Sequence, residues 1–202
     1  MCASVFVGSE SATAQLRAPS CSGHRGTVIA AGPLGDLRKV VRNYFFDSEA
    51  VIYACRRHRA KPLTVYSCGD VFCFANTPSV AGCFAAVDRR HSDHYNATWD
   101  TLFRANLCKR TVNEIASVHT DPAVGPPTQI ESAVVSPTGN VAWITSVGSP
   151  PSGVELDGFY QGHRAVIDKS PGIDQTSLAI AGERVYWARD GAPQSFVFPE
   201  DT

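Results

Sequence analysis

The fold is decided by one stretch of the sequence, Val134-Val135-Ser136-Pro137-Thr138-Gly139-Asn140-Val141-Ala142-Trp143-Ile144-Thr145. Two apolar runs flank a short polar segment in which Pro137 and Gly139 favour a tight turn. Side chains alternate between the two faces of a β-strand, so the run after the turn can bury Val141 and Trp143 or their neighbours. The stretch therefore predicts a β-hairpin whose second strand packs into a core.

The same pattern recurs along the chain of 202 residues, as short apolar runs closed by Gly, Pro, Asn or Asp. Turn signals every 8–12 residues are typical of an all-β fold, and no sustained helical stripe is present, although residues 37–46 could form a short helix. The runs group into units of about 40 residues, the size of a four-stranded propeller blade. These units cover residues 27–67, 80–118, 130–169 and, in part, 176–198. We therefore predict an all-β, propeller-like array of about four small antiparallel sheets, with a β-barrel or a sandwich as the alternatives.

Two of these hairpins resemble a known type of repeat. Residues 134–145 resemble the S-P-x-G-x-x-(I/V)-A-(F/W) hairpin of TolB-type propeller blades, and residues 181–187 (A-G-E-R-V-Y-W) resemble the G-x-x-V-Y-W hairpin of other propellers. With Pro171-Gly172-Ile173-Asp174 and Tyr53-Ala54-Cys55-Arg56-Arg57, the chain is similar to uncharacterised secreted actinobacterial proteins with TolB-type or propeller-like repeats. The resemblance implies a propeller-like fold and secretion, and it implies no known reaction.

The N-terminus carries a possible export signal. Ala12-Thr13-Ala14 matches the small-x-small pattern at which signal peptidase cuts, so the mature chain would begin at Gln15. Residues 1–11 contain no Lys or Arg, and their apolar part is too short for a complete signal peptide. Residues 1–14 are therefore interpreted as the remnant of a longer signal peptide or as a disordered tail. Residues 15–202 are predicted to form a single all-β domain.

Cysteine usage predicts a disulfide framework. Cleavage after Ala14 would leave an even number of cysteines, which in an exported domain are expected to pair: Cys21, Cys55, Cys68, Cys73, Cys83 and Cys108. Cys83 and Cys108 lie at the far ends of two runs that should pair as a hairpin, so we expect a bond between them. We also expect Cys68–Cys73 to close a small loop and, by elimination, Cys21–Cys55. Cys68 and Cys73 are spaced so that they could supply two zinc ligands, but no second pair of cysteines or histidines follows at zinc-finger spacing. No metal site is therefore predicted.

Charge is distributed unevenly along the chain, although the net charge is only −1. Residues 17–118 carry 14 Lys and Arg against 8 Asp and Glu, whereas residues 119–202 carry 4 against 10. The densest positive cluster, Arg56, Arg57, Arg59 and Lys61, is the predicted binding site. The alternative is that the two halves of the chain attract each other across the fold. Nucleic acid is not the favoured partner, because nucleic-acid-binding domains are usually strongly basic.

Catalytic motifs are missing from the sequence. There is no G-x-S-x-G, H-E-x-x-H or phosphate-binding G-x4-G-K-[S/T] motif, and no cofactor is predicted. No apolar run approaches the ~18 residues that span a bilayer. We therefore predict a disulfide-braced β-domain, secreted or in the cell envelope, that binds a protein or a glycan. The alternatives are a structural envelope component and a hydrolase whose residues meet only in the fold.

Overall fold

A computed structural model describes residues 26–43, 48–57, 59, 61–69, 74–92, 97–120, 123, 125, 127–148 and 151–200. Within these ranges every regular element is a β-strand, so the predicted all-β class is confirmed. The helix considered for residues 37–46 is wrong, because residues 35–43 form a strand that pairs along its length with the next one. Residues 1–14, with the proposed cleavage site, lie outside the described ranges.

The strands form four antiparallel sheets, which we call sheets A to D. Sheet A contains β1 (Thr27–Ala31), β2 (Gly35–Asn43), β3 (Ser48–Arg56) and β4 (Leu63–Cys68). Sheet B contains β5 (Ser79–Ala81), β6 (Phe84–Ser92), β7 (Thr98–Asn106) and β8 (Thr111–Thr120). Sheet C contains β9 (Thr128–Val135), β10 (Val141–Val147), β11 (Gly153–Tyr160) and β12 (His163–Lys169). Sheet D contains β13 (Ala179–Ala181), β14 (Arg184–Arg189) and β15 (Ala192–Val197).

Each sheet is a simple meander in which strands that are consecutive in the chain are neighbours. The first strands of the sheets contact one another in succession, β1 with β5, β5 with β9, and β9 with β13. This arrangement of separate small sheets is the predicted propeller-like array. The described strands form neither a closed barrel nor a two-sheet sandwich, so both of those alternatives are wrong.

Three hydrophobic cores hold neighbouring sheets together. The first core joins sheets A and B, the second joins B and C, and the third joins C and D. Alternation along β10 explains the long apolar run there: Val141 and Trp143 belong to the second core, and Ala142 and Ile144 to the third. A strand covered on both faces has no solvent-facing side, which is why this run contains little polar sequence.

The hairpin at residues 134–145 forms as predicted, with β9 and β10 pairing on either side of the turn. The amide of Gly139 donates to the carbonyl of Ser136 at 3.1 Å. Gly139 has φ = +97°, and a Cβ at this position would lie 2.5 Å from the ring of Phe84 in sheet B. A glycine is therefore needed both for the turn and for the close approach of sheets B and C.

Candidate anion-binding site

The first part of the site is the turn between β3 and β4, which contains most of the predicted basic cluster. Arg56 ends β3, and the backbone of the turn is held by hydrogen bonds from the Arg57 amide to the Leu34 carbonyl and from the Arg59 amide to the Arg56 carbonyl. Pro62 precedes the first residue of β4, a position where the missing amide hydrogen does no harm. The turn thereby presents Arg56, Arg59 and Lys61 on one side of the sheet end.

The second part is the turn between β7 and β8 in sheet B. The side-chain oxygen of Asn106 accepts hydrogen bonds from the amides of Cys108 and Lys109 at 3.0 and 2.8 Å. A disulfide joins Cys108 to Cys83, which precedes β6. The side-chain bonds and the disulfide together fix the turn that carries Arg110.

The guanidinium of Arg110 connects the two turns. Its Nη1 donates to the carbonyl of Lys61 at 2.8 Å, and its Nη2 donates to the carbonyl of Pro62 at 3.1 Å. The two turns enclose an open cavity of about 330 Å³ whose described lining is Arg56, Arg59, Lys61, Leu107, Cys108 and Arg110. We call this cavity the cationic pocket.

The cationic pocket brings four positively charged side chains together, and its described lining includes no carboxylate. The ion pairs formed among the described residues also leave this group out. Those pairs join residues of the same half of the chain, such as Arg90 with Asp100 and Arg164 with Asp157. The described ion pairs therefore give no support to the idea that the two halves attract each other. An anion entering the pocket would meet hydrogen-bond donors and positive charge.

Three of the four predicted binding residues, Arg56, Arg59 and Lys61, line the cationic pocket. Arg57 is exposed but is not part of the described lining. Sequence reasoning missed Arg110, which lies about 50 residues further along the chain. The repeat itself could have identified Arg110. The turns that carry Lys61 and Arg110 both connect the third and fourth strands of their sheets, so they lie at the same end of neighbouring units.

One of the three predicted cysteine pairs is confirmed. Cys83–Cys108 is a disulfide, as predicted from the hairpin. Cys68 is disulfide-bonded, but Cys73 lies outside the described residues, so the Cys68–Cys73 pair stays a prediction. Cys55 is buried in β3, and Cys21 lies outside the described residues, so the Cys21–Cys55 pair also stays a prediction.

Other candidate residues lie elsewhere. Arg89 and His91 line a different cavity with Ser67, Cys68 and Gly69. That cavity lies near the last residues of β4 and β6, whereas the cationic pocket lies near the first residues of these strands. Among the described residues there is no group of three or more metal-ligating side chains, and no helix suited to crossing a membrane.

Comparison with known proteins gave no match, either to a protein-family model or to a curated protein sequence. The resemblance of residues 134–145 and 181–187 to propeller repeats of secreted proteins therefore stays a prediction, carried by the hairpin motifs themselves.

Proposed function

We propose that this protein is an extracytoplasmic interaction module that binds an anionic group of a glycan or of a protein partner in the cationic pocket. The observation that carries the proposal is the convergence of Arg56, Arg59, Lys61 and Arg110 around one cavity whose described lining holds no carboxylate. Guanidinium groups offer paired donors that match sulfate, phosphate and carboxylate oxygens, which favours an oxyanion as the bound group. The alternatives, an envelope component and a hydrolase, stay untested predictions.

The location of the cationic pocket supports a binding role. It is formed by turns at the ends of two sheets, and loops placed on a rigid β-scaffold are frequent binding sites. The Cys83–Cys108 disulfide next to it fixes one of the two turns. Stable disulfides form mainly in oxidising compartments, which supports an extracytoplasmic location.

The proposal is tested with a fluorescent heparin octasaccharide as the probe, followed by fluorescence anisotropy. We expect saturable binding that weakens as NaCl rises, because salt screens the pocket charges. Replacing a charged donor typically costs enough to weaken binding about tenfold. Arg59→Ser and Lys61→Ser should therefore each raise the Kd about tenfold.

Arg57→Ser is the matched control, because it removes an exposed arginine of the same turn that is outside the described pocket lining. It should leave the Kd within about twofold of wild type, since an isolated surface charge contributes little. The proposal fails if the octasaccharide and an acidic peptide both show no saturable binding. It also fails if Arg57→Ser weakens binding as much as Arg59→Ser, because that result indicates attraction to the whole surface.

A further inference from the structure

A third cavity, of about 240 Å³, lies between sheets B and C, well separated in the chain from the cationic pocket. Its lining includes Val118 near the end of β8, Val147 at the end of β10 and Gly153 at the start of β11. Pockets for drug-sized ligands usually measure about 300–1,000 Å³, so this cavity is suited to a smaller molecule. Its apolar wall favours a hydrocarbon body.

Three charged side chains of sheet C also line this cavity: Glu155, Arg164 and Lys169. Both oxygens of Glu155 are already engaged, Oε1 by Arg164 Nη2 at 3.3 Å and Oε2 by Lys169 Nζ at 3.0 Å. Burial alone would raise the pKa of Glu155, but these two cations hold it below its usual value, so the carboxyl stays ionised and paired.

The donors of Arg164 and Lys169 are less completely used. Arg164 gives Nε and Nη2 to the buried carboxylate of Asp157, at 2.8 and 2.9 Å, whereas its Nη1 has no hydrogen bond to another described residue. The side chains of Arg164 and Lys169 are 44% and 73% exposed, against 24% for Glu155. The carboxylates of Glu155 and Asp157 balance the two cations in formal charge, but the cations are the more exposed groups at this cavity.

The geometry points to a second ligand site: we propose that this cavity binds a small free carboxylate with an apolar body. The apolar body would pack on Val118 and Val147, and the carboxylate would accept hydrogen bonds from Arg164 Nη1 and Lys169 Nζ. Arg164 is held in place for this role by its paired bonds to Asp157 and by the ring of Trp143, 5.4 Å from its guanidinium carbon. The site is separate from the cationic pocket and does not depend on the proposed glycan binding.

The test compares phenylacetate with phenylacetamide, a neutral molecule of nearly the same shape, by titrating the ¹⁵N-labelled protein and following its NMR spectrum. We expect phenylacetate to bind at least about tenfold more tightly, because charge-assisted hydrogen bonds require the carboxylate. Shifted signals should belong to residues 118, 147 and 153. Lys169→Gln, at a largely exposed position, should reduce this preference for the acid without loss of folding.

A variant that fills the cavity provides a second test of the proposal. Gly153 lines the cavity, a Cβ there would have no atom within 4 Å, and the backbone is not left-handed, so we expect Gly153→Phe to be tolerated and to fill part of the cavity. Gly69→Phe is the matched control: Gly69 has the same open space but lines the other cavity, beside Arg89. Phenylacetate binding should disappear in the folded Gly153→Phe variant and persist in Gly69→Phe.

Three results would overturn the proposal. The first is equal affinity for the acid and the amide in the wild-type protein. The second is unchanged phenylacetate binding in Gly153→Phe. The third is binding only of a peptide that ends in a C-terminal phenylalanine, with none of free phenylacetate, because this would assign the cavity to a protein partner.

Discussion

At the scale of single residues, the most unusual feature is a set of buried aspartates, each of which accepts several hydrogen bonds. Asp100 accepts two bonds from Arg90 and one from the amide of Ile130, and so links sheet B to sheet C. Asp88 receives the amides of Asn76 and Thr77 on Oδ1, while its buried Oδ2 has no partner among the described residues. These roles were not predictable from the sequence, because the donors come from other strands and loops.

The buried carboxyl of Asp88 predicts an unusual dependence of stability on pH. Burial raises its pKa, and the hydrogen bonds from Thr77 and Asn76 only partly oppose this effect. An acid with a raised pKa in the fold favours the folded state at low pH and disfavours it as pH rises from the ordinary value of 3.8 through the raised pKa. Asp88→Asn lacks this penalty, so its stability relative to wild type should improve as pH rises from about 3 to 7, measured by urea unfolding.

Asp174→Asn is the internal control, with the opposite sign. Bonds from Thr176 lower the pKa of Asp174, so its carboxylate favours folding above pH 3.8, and this contribution is lost as pH falls through the lowered pKa. Asp174→Asn should therefore lose stability relative to wild type as pH rises. Equal pH slopes for the two variants would contradict the burial argument.

At the scale of elements, strands and turns were predictable because their signals are local. Turn residues and alternating apolar positions placed the units close to the observed sheets, and Pro137 and Gly139 identified the turn of the central hairpin. Residue 176, where the last predicted unit begins, lies in a turn and not in a strand. The Asp174 side chain binds the amide and hydroxyl of Thr176, and strand pairing begins only at Ala179. Predicting the contribution of Arg110 requires knowledge of which turns meet in space, and no single segment of the sequence carries that information.

The turn carrying Arg110 gives a prediction about the disulfide. Replacing Cys83 and Cys108 by Ser releases a loop with a sequence separation of 25, which should cost about 3 kcal/mol of unfolding free energy. The released turn should also present Arg110 less precisely, so affinity for the heparin octasaccharide should fall. Urea unfolding and anisotropy measure the two effects.

Cys55→Ala provides a control, because it shortens a buried side chain and leaves the Cys83–Cys108 bond intact. It should lower stability without changing the octasaccharide Kd. If the Cys83/Cys108 double variant binds as tightly as wild type while folded, the turn does not depend on the disulfide for its binding geometry.

At the scale of the whole molecule, the three cores make each sheet depend on its neighbours. Leu37, Leu102 and Ile144 are fully buried, one in each core. Replacing any one of them by Ala should cost about 2–5 kcal/mol. Because every sheet shares a core with the next, each variant should shift one common transition, followed by circular dichroism and tryptophan fluorescence. Separate transitions by the two probes would show that the sheets unfold independently.

The basic cluster also belongs to the whole-molecule scale, because its role depends on how charge is arranged over the fold. The sequence identified the cluster and left two readings open, a binding face or attraction between the two halves of the chain. The described ion pairs stay within each half, and the cationic pocket has no carboxylate in its described lining. Both observations favour the binding face.

The decisive measurement combines melting temperature and octasaccharide affinity for the variant Arg56→Ser/Arg59→Ser/Lys61→Ser, each across a range of NaCl concentrations. We predict a melting temperature within about 2 °C of wild type, since charges on an exposed turn contribute little to stability. We also predict loss of the salt-sensitive binding, by about 100-fold or more if the donors contribute independently. A lower melting temperature with unchanged affinity would contradict this account, because it would show that the cluster stabilises the fold and does not bind a partner.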